Sequence, residues 1–156
     1  MIGFFLACLV GLFLRPYALL KSPDELIGRS DGLYMKRWHL WRNYGKFNIY
    51  LHNFKKSDDD RALHDHPWAS WSVCIGGNAF EFIHDDSGNE VCDKRVKLGT
   101  TVWRDADFAH RMVIPEGEEC WTLFITGPKV REWGFLCPTG WKHHQDFIHN
   151  NGCGQE

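Results

Sequence analysis

The sequence predicts an all-β domain, an antiparallel sandwich or a closed barrel, behind an apolar N-terminal segment. Three observations point that way. After residue 34 the chain breaks into short segments with strand-like patterning, separated by turn residues at close intervals. Aromatic residues make up 15% of the chain, with eight Trp, eleven Phe and four Tyr, which suits a pleated, ring-filled core. No stretch after residue 34 sustains a helical period. At 156 residues, with 44% hydrophobic and 24% charged side chains, the chain has the size and composition of one globular domain.

The first fourteen residues, Met1 to Leu14, carry no polar side chain, and Arg15-Pro16 ends the run. Neither a positive leader before the run nor a small-residue cleavage site after it is present, so a secretion signal is disfavoured. As a helix the run spans about 21 Å at 1.5 Å per residue, short of the roughly 30 Å hydrocarbon core of a bilayer. Residues 1–20 are therefore expected to form a helix packed on protein, and membrane association is the second choice. Arg15 and Lys21 following the run would place the domain on the cytoplasmic side of any membrane. Residues 21–33, punctuated by Pro23, Gly28 and Gly32, read as a linker.

The domain proper spans 34–142. Phe47 to Phe54 alternates, with Phe47, Ile49 and Leu51 on one face and Asn48, Tyr50 and His52 on the other. Lys55 to Arg61 is a charged loop. Trp68 to Ile75 and Ala79 to His84 read as two strands joined by a turn at Gly76-Gly77-Asn78, and Asp85 to Asn89 as a hairpin turn. Val91 to Leu98, Thr101 to Arg104, Arg111 to Ile114 and Cys120 to Thr126 complete the strands. Residues 143–156 are expected to begin ordered and end frayed.

Charge and cysteine usage limit the function classes. Eighteen Lys and Arg against twenty Asp and Glu leave a net charge of -2, without the basic excess that phosphate neutralisation demands, so no nucleic-acid partner is expected. The six cysteines, at 8, 74, 92, 120, 137 and 153, contain no C-x-x-C pair and are too sparse for a disulfide framework. They read as reduced, small apolar side chains in a cytoplasmic protein.

His64-Asp65-His66 is the informative triplet. On an extended chain, residues two apart face the same side, so both imidazoles address one space, as a divalent-metal site requires. A third ligand from a distant strand completes such a site, and His110, after the acidic turn Asp105-Ala106-Asp107, is the candidate.

These residues bring a resemblance. The pattern resembles the two motifs of the cupin superfamily, G-x5-H-x-H-x(3,4)-E-x6-G and G-x5-P-x-G-x2-H-x3-N. His64, His66 and Gly77 fall on the first, with Asp58 in place of the opening glycine and Ser70 in place of the glutamate. Gly99 and His110 fall on the second, with Asp105, Asp107 and Ile114 replacing Pro, Gly and Asn. The match covers about residues 45–127. YMKRWHLW, NIYLHNF, ALHDHPW, CWTLFITG and REWGF further resemble a group of small cupin-like proteins of bacteria and phages with no assigned reaction.

The resemblance implies a double-stranded β-helix, the cupin or jelly-roll barrel, with an N-terminal helical appendage. It implies one divalent ion on His64, His66 and His110, Fe(II) by preference, with Zn, Mn or Ni also suited. With Ser70 in place of glutamate the site is a neutral three-histidine one, similar to that of the thiol dioxygenases, although their cross-linked cysteine has no counterpart here. Glu81 could replace the missing carboxylate, but it lies beyond the glycine turn on the next strand and reads as an exposed strand position. Tyr50 and His52 are the candidate catalytic side chains, and Trp68, Arg61, Arg111 and Ser70 the candidate substrate contacts. The expected activity is metal-dependent oxygenation of a small polar molecule. A non-redox isomerase or hydrolase and a non-catalytic binding domain are the alternatives. Cupins often pair through N-terminal segments, so a homodimer is expected.

Overall fold

Twelve residues of strand, Gly32–Asn43, and eight more, Phe47–Phe54, form the hairpin on which the domain is built. The computed structural model describes residues 2–29, 32–43, 45–58, 62–149 and 152–153. The elements run α1 (Ile2–Leu20), β1 (Glu25–Arg29), β2 (Gly32–Asn43), β3 (Phe47–Phe54), β4 (Leu63–His64), β5 (Ser70–His84), β6 (Glu90–Lys97), β7 (Thr101–Arg104), β8 (Arg111–Val113), β9 (Cys120–Thr126), β10 (Gly134–Cys137), β11 (Gly140–His143) and α2 (His144–His149). All pairings are antiparallel. One sheet runs β1-β2-β3-β9-β5-β6, with β7 and β8 also paired to β5, and a second runs β11-β10-β4.

The expected turn at Gly76-Gly77-Asn78 is instead a bend inside one fifteen-residue strand, β5. Its first half pairs with β9 and β7 and its second half with β6 and β8, so the strand folds the sheet over on itself. A register shift between Cys74 and Gly76 marks the bend. Gly77 has φ +76°, and a Cβ there would lie 1.8 Å from the Glu119 carbonyl oxygen. Only glycine accommodates both.

Residues 25–29, read as part of a linker, form the edge strand β1 on β2, Glu25 opposite Arg37. Edge pairing is satisfied through the backbone and needs no apolar face, so composition did not reveal it. The tail is also more ordered than its polarity suggested. Phe147 is buried and stacks on Phe135 at 3.7 Å, and a disulfide joins Cys137 to Cys153 with a Cα separation of 5.4 Å. The all-reduced reading of the cysteines therefore fails for this pair and holds for Cys8, Cys74, Cys92 and Cys120.

Helix α1 covers the outer face of the sheet. Ala7, Val10, Leu14, Tyr17 and Ala18 pack on Trp38, Leu51, Val73, Ile75 and Trp121. Gly11 permits the contact, because a Cβ there would lie 2.8 Å from the Ile75 carbonyl oxygen. Among the described residues, no helix is long and apolar enough to cross a membrane.

Directly opposed residues of antiparallel strands share a face. Asn48, Tyr50 and His52 of β3 therefore look inward with Thr126, Phe124 and Thr122 of β9 and with Ser70, Ser72 and Cys74 of β5. The alternation read from the sequence is correct, but the apolar face is the outer one, sealed by α1. The polar face lines the interior.

Candidate metal centre

His64 and His110 are directly paired. Each donates its backbone N–H to the other's carbonyl at 2.9 Å, an isolated bridge between the two histidine segments. His66 is fixed by its own N–H to the Ala106 carbonyl at 3.0 Å. The three rings lie 5.0 to 5.2 Å apart, centre to centre, and their ligand atoms all fall within 4.8 Å of one another. His66 Nε2 and His110 Nε2 are 2.9 Å apart. Two nitrogens each about 2.1 Å from one ion, at right angles, sit ~3 Å apart. An N–H···N bond has the same length, but it would not account for the third imidazole.

Burial, with further contributions from neighbouring positive groups, holds His66 and His110 well below the ordinary imidazole pKa. For His66 those groups are His64, His110 and Arg104, and for His110 they are Arg104, His64 and Lys94. Both rings are therefore neutral at pH 7, with lone pairs to offer. These two imidazoles, with His64 as a third nitrogen ligand, fit a divalent ion of the iron-to-zinc series.

Two carboxylates stand behind the rings. Glu81, expected on the surface, is fully buried, and its Oε1 lies 2.8 Å from His110 Nδ1, off the hydrogen-bond line. Arg104 donates to Glu81 through Nε at 2.6 Å and to Ser72 Oγ at 3.0 Å, and Lys94 Nζ stands 3.6 Å from Glu81 Oε2. Glu81 thus neither ligates in place of Ser70 nor faces solvent; it backs a ligand. Asp58 Oδ2 lies 4.0 Å from His64 Nδ1, beyond hydrogen-bond reach, and accepts the Met112 N–H at 2.6 Å and the Tyr34 hydroxyl instead. A partner such as Glu81 orients a ligating ring and raises its basicity.

Asp65, facing away from the histidines, anchors the C-terminal hairpin. It accepts the Gly134 N–H at 2.7 Å, the Trp141 indole N–H at 2.8 Å and the Arg131 guanidinium.

Of the remaining candidates, His52 and Tyr50 lie in the interior, stacked at 5.6 Å. His52 Nε2 accepts from Arg37 Nε at 3.0 Å, which places the ring proton on Nδ1, and Nδ1 has no hydrogen-bond partner among the described residues. Burial, then the charge of Arg37, keeps this imidazole neutral too. Thr122 Oγ1, directly opposite His52, is likewise buried and unpartnered. Trp68 is half-buried with its indole N–H unpartnered, and Ser70 is buried beside Arg104 on the same interior face. Arg111 is turned away: it pairs with Glu90 and lies over the Phe82 ring at 5.0 Å, because its neighbour His110 takes the inward position. Arg61 lies outside the described residues.

Sequence reasoning missed Arg37, His39, Arg104 and the role of Glu81. His39 packs edge-on to Tyr50 at 5.3 Å and reaches Glu25 at 2.8 Å. The alternation Arg37-x-His39 on β2 was the available signal; Arg104 and Glu81 meet only through tertiary pairing.

No family model matches the chain, and no curated protein matches it either. Solved structures do. The polyketide cyclase RemF from Streptomyces resistomycificus superposes with a TM-score of 0.53 at 13% identity, over 74% of this chain and 78% of its own. A cupin-like protein from Thermotoga maritima gives 0.52 at 16% identity, over 83% and 93%. An oxalate decarboxylase gives 0.51 at 18%, over 76% of this chain and 30% of its own. With its folded-over antiparallel sheet, interior histidine triad and these neighbours, the chain has the cupin fold.

Proposed function

We propose that the protein is a metal-dependent cupin enzyme acting on a small polar molecule, with Fe(II)-dependent oxygenation as the leading reaction. The observation that carries the reading is the convergence of His64, His66 and His110, with Glu81 behind the His110 ring. Among its fold neighbours, HppE is an Fe(II) protein and the oxalate decarboxylase of Bacillus subtilis has Mn(II) centres. An ion held by the three imidazoles would supply Lewis acidity and, as iron, redox chemistry with O2.

The chain's own residues supply the rest. His52 holds a proton at Nδ1 that its buried surroundings leave unused, and Thr122 Oγ1 stands opposite with the same need. A substrate oxygen between them would satisfy both groups, which is how a mostly closed site selects polar ligands. With Arg37 fixed on its other nitrogen, and its basicity lowered, His52 serves as a neutral hydrogen-bond donor rather than as a base. Tyr50, stacked on His52 and under the Arg37 guanidinium at 5.1 Å, holds that donor in orientation.

The test is oxygen uptake by the Fe(II)-loaded protein against a panel of small metabolites, beside His64→Ala and His110→Ala. Uptake in the wild type alone supports oxygenation. Turnover that persists without oxygen assigns the site to Lewis-acid isomerisation or hydrolysis. Equal metal content in all three proteins would remove the site.

A further inference from the structure

Outside the triad, the C-terminal hairpin gathers a second set of donors. Strands β10 and β11 pair with Gly134 opposite His143, so Glu132 and His144 leave the same end of the ladder. Glu132, His143 and His144 each present a ligand atom within 4.8 Å of the others. Glu132 is exposed and the two histidines are partly buried, on a hairpin that is itself tied down. The Phe135–Phe147 stack, the Cys137–Cys153 disulfide and a Lys142 Nζ bond to the Gly152 carbonyl at 3.1 Å tie the hairpin and α2 together.

The proton positions favour a cation. His144 Nδ1 lies 3.2 Å from the Trp133 carbonyl, which can only accept, so the proton is on Nδ1 and the Nε2 lone pair is free. The ring is held flat on the Trp133 indole at 4.5 Å and 7°. Lys129 occupies Oε1 of Glu132, leaving Oε2 turned to His143 Nε2 at 3.5 Å. An ion arriving there replaces the proton between those two atoms. The imidazole proton moves to Nδ1 and displaces only the long 3.4 Å contact from the Gln145 N–H.

We propose that Glu132, His143 and His144 form a second metal site, independent of the triad, for a borderline divalent ion of the Zn(II) class. Two imidazoles and one carboxylate with solvent-facing positions suit zinc and disfavour magnesium or calcium, which take all-oxygen shells. Because Trp133 stacks on His144 and meets the His64 ring edge-on at 6.3 Å, an ion here also steadies the rim of the triad.

Zinc stoichiometry tests the proposal, measured by equilibrium dialysis and elemental analysis on the chelator-stripped full chain. The wild type is expected to bind two ions, and His144→Ala, His143→Ala and His64→Ala one each. His64→Ala combined with His144→Ala should bind none, and Glu132→Gln should weaken the second affinity by more than about tenfold. Circular dichroism checks that each variant is folded, and Co(II) absorption reports each site separately. If His143→Ala and His144→Ala, both folded, keep the wild-type count, the second site does not exist. A single ion lost only with His144→Ala would instead keep this site and overturn the triad.

Discussion

Glu81 decides more at the triad than any residue other than the ligands. It is fully buried and stands between Arg104, Lys94 and His110, so its charge is compensated on several sides. Glu81→Gln keeps the shape and removes the charge, leaving Arg104 buried without its anion. The expected result is a 10- to 100-fold loss of metal affinity, in the range of outer ligand partners, with a stability loss of about 3–5 kcal/mol as for a broken buried pair. Metal titration and chemical denaturation read the two effects separately. A second expectation follows from His52, His66 and His110, all held below the ordinary imidazole pKa by burial. In the unfolded chain these rings take up protons near pH 6.5; in the folded one they do so only at lower pH. Below about 6.5 the unfolded state therefore binds more protons, and the stability of the chelator-treated protein falls as the pH falls, with no such slope above 7. Denaturation midpoints from pH 5 to 8 measure it. At this scale the sequence made His64, His66 and His110 visible, because period two and motif spacing are local. Glu81 was invisible, since β7 sets Arg104 opposite Ser70 and only the folding over of β5 brings Glu81 to it.

Among the elements, β5 shapes the interior that holds the site, and the C-terminal hairpin packs beside it. Gly77 lets β5 turn from one half of the barrel to the other against the Glu119 carbonyl. Gly77→Ala meets both a left-handed φ and a carbonyl oxygen only 1.8 Å from the added carbon, so a loss of more than about 1–3 kcal/mol is expected, read as a lowered melting temperature. Gly45→Ala, with nothing within 4 Å of the added carbon, is the control and should melt close to wild type. The hairpin is fastened twice, by Asp65 to the segment that bears His64 and His66 and by Cys137–Cys153 to the chain end. Closing a loop with a sequence separation of 16 contributes about 3 kcal/mol by chain entropy. Reduction, or Cys153→Ser, should lower the melting temperature while leaving the zinc count of the triad unchanged. Strand positions such as 47–54 and 120–126 were legible because alternation is a local signal. The Gly76-Gly77 bend was misread as a turn because two glycines serve either purpose until the partner strand is known. The Cys137–Cys153 pairing rests on the hairpin register, which the spacing of the cysteines does not encode.

For the whole molecule, α1 presents two faces, one against the sheet and one apolar and exposed. Its inner face seals the sheet, but Phe5, Leu12 and Phe13 are 65%, 65% and 71% exposed, with Leu9, Leu19 and Leu20 alongside. The groove beside it, between Phe13, Leu14, Trp41, Phe47 and Leu123, has a volume of about 570 Å³. An apolar surface of that kind is covered in a working protein. A second copy covers it if two α1 helices pack face to face. These six Phe and Leu side chains, at about 1.5–3 kcal/mol each, are comparable with the roughly 4–15 kcal/mol that association costs. Deleting α1 does not isolate this effect, because it uncovers Trp38, Leu51, Val73 and Ile75 and invites aggregation. Point substitutions on the outer face do isolate it. Phe5→Asp with Phe13→Asp should convert a dimer into a monomer by light scattering, with an unchanged circular dichroism spectrum and unchanged metal content. A wild type that is monomeric without detergent removes the dimer. A wild type that partitions into lipid vesicles, when the double variant does not, assigns the outer face of α1 to a membrane surface.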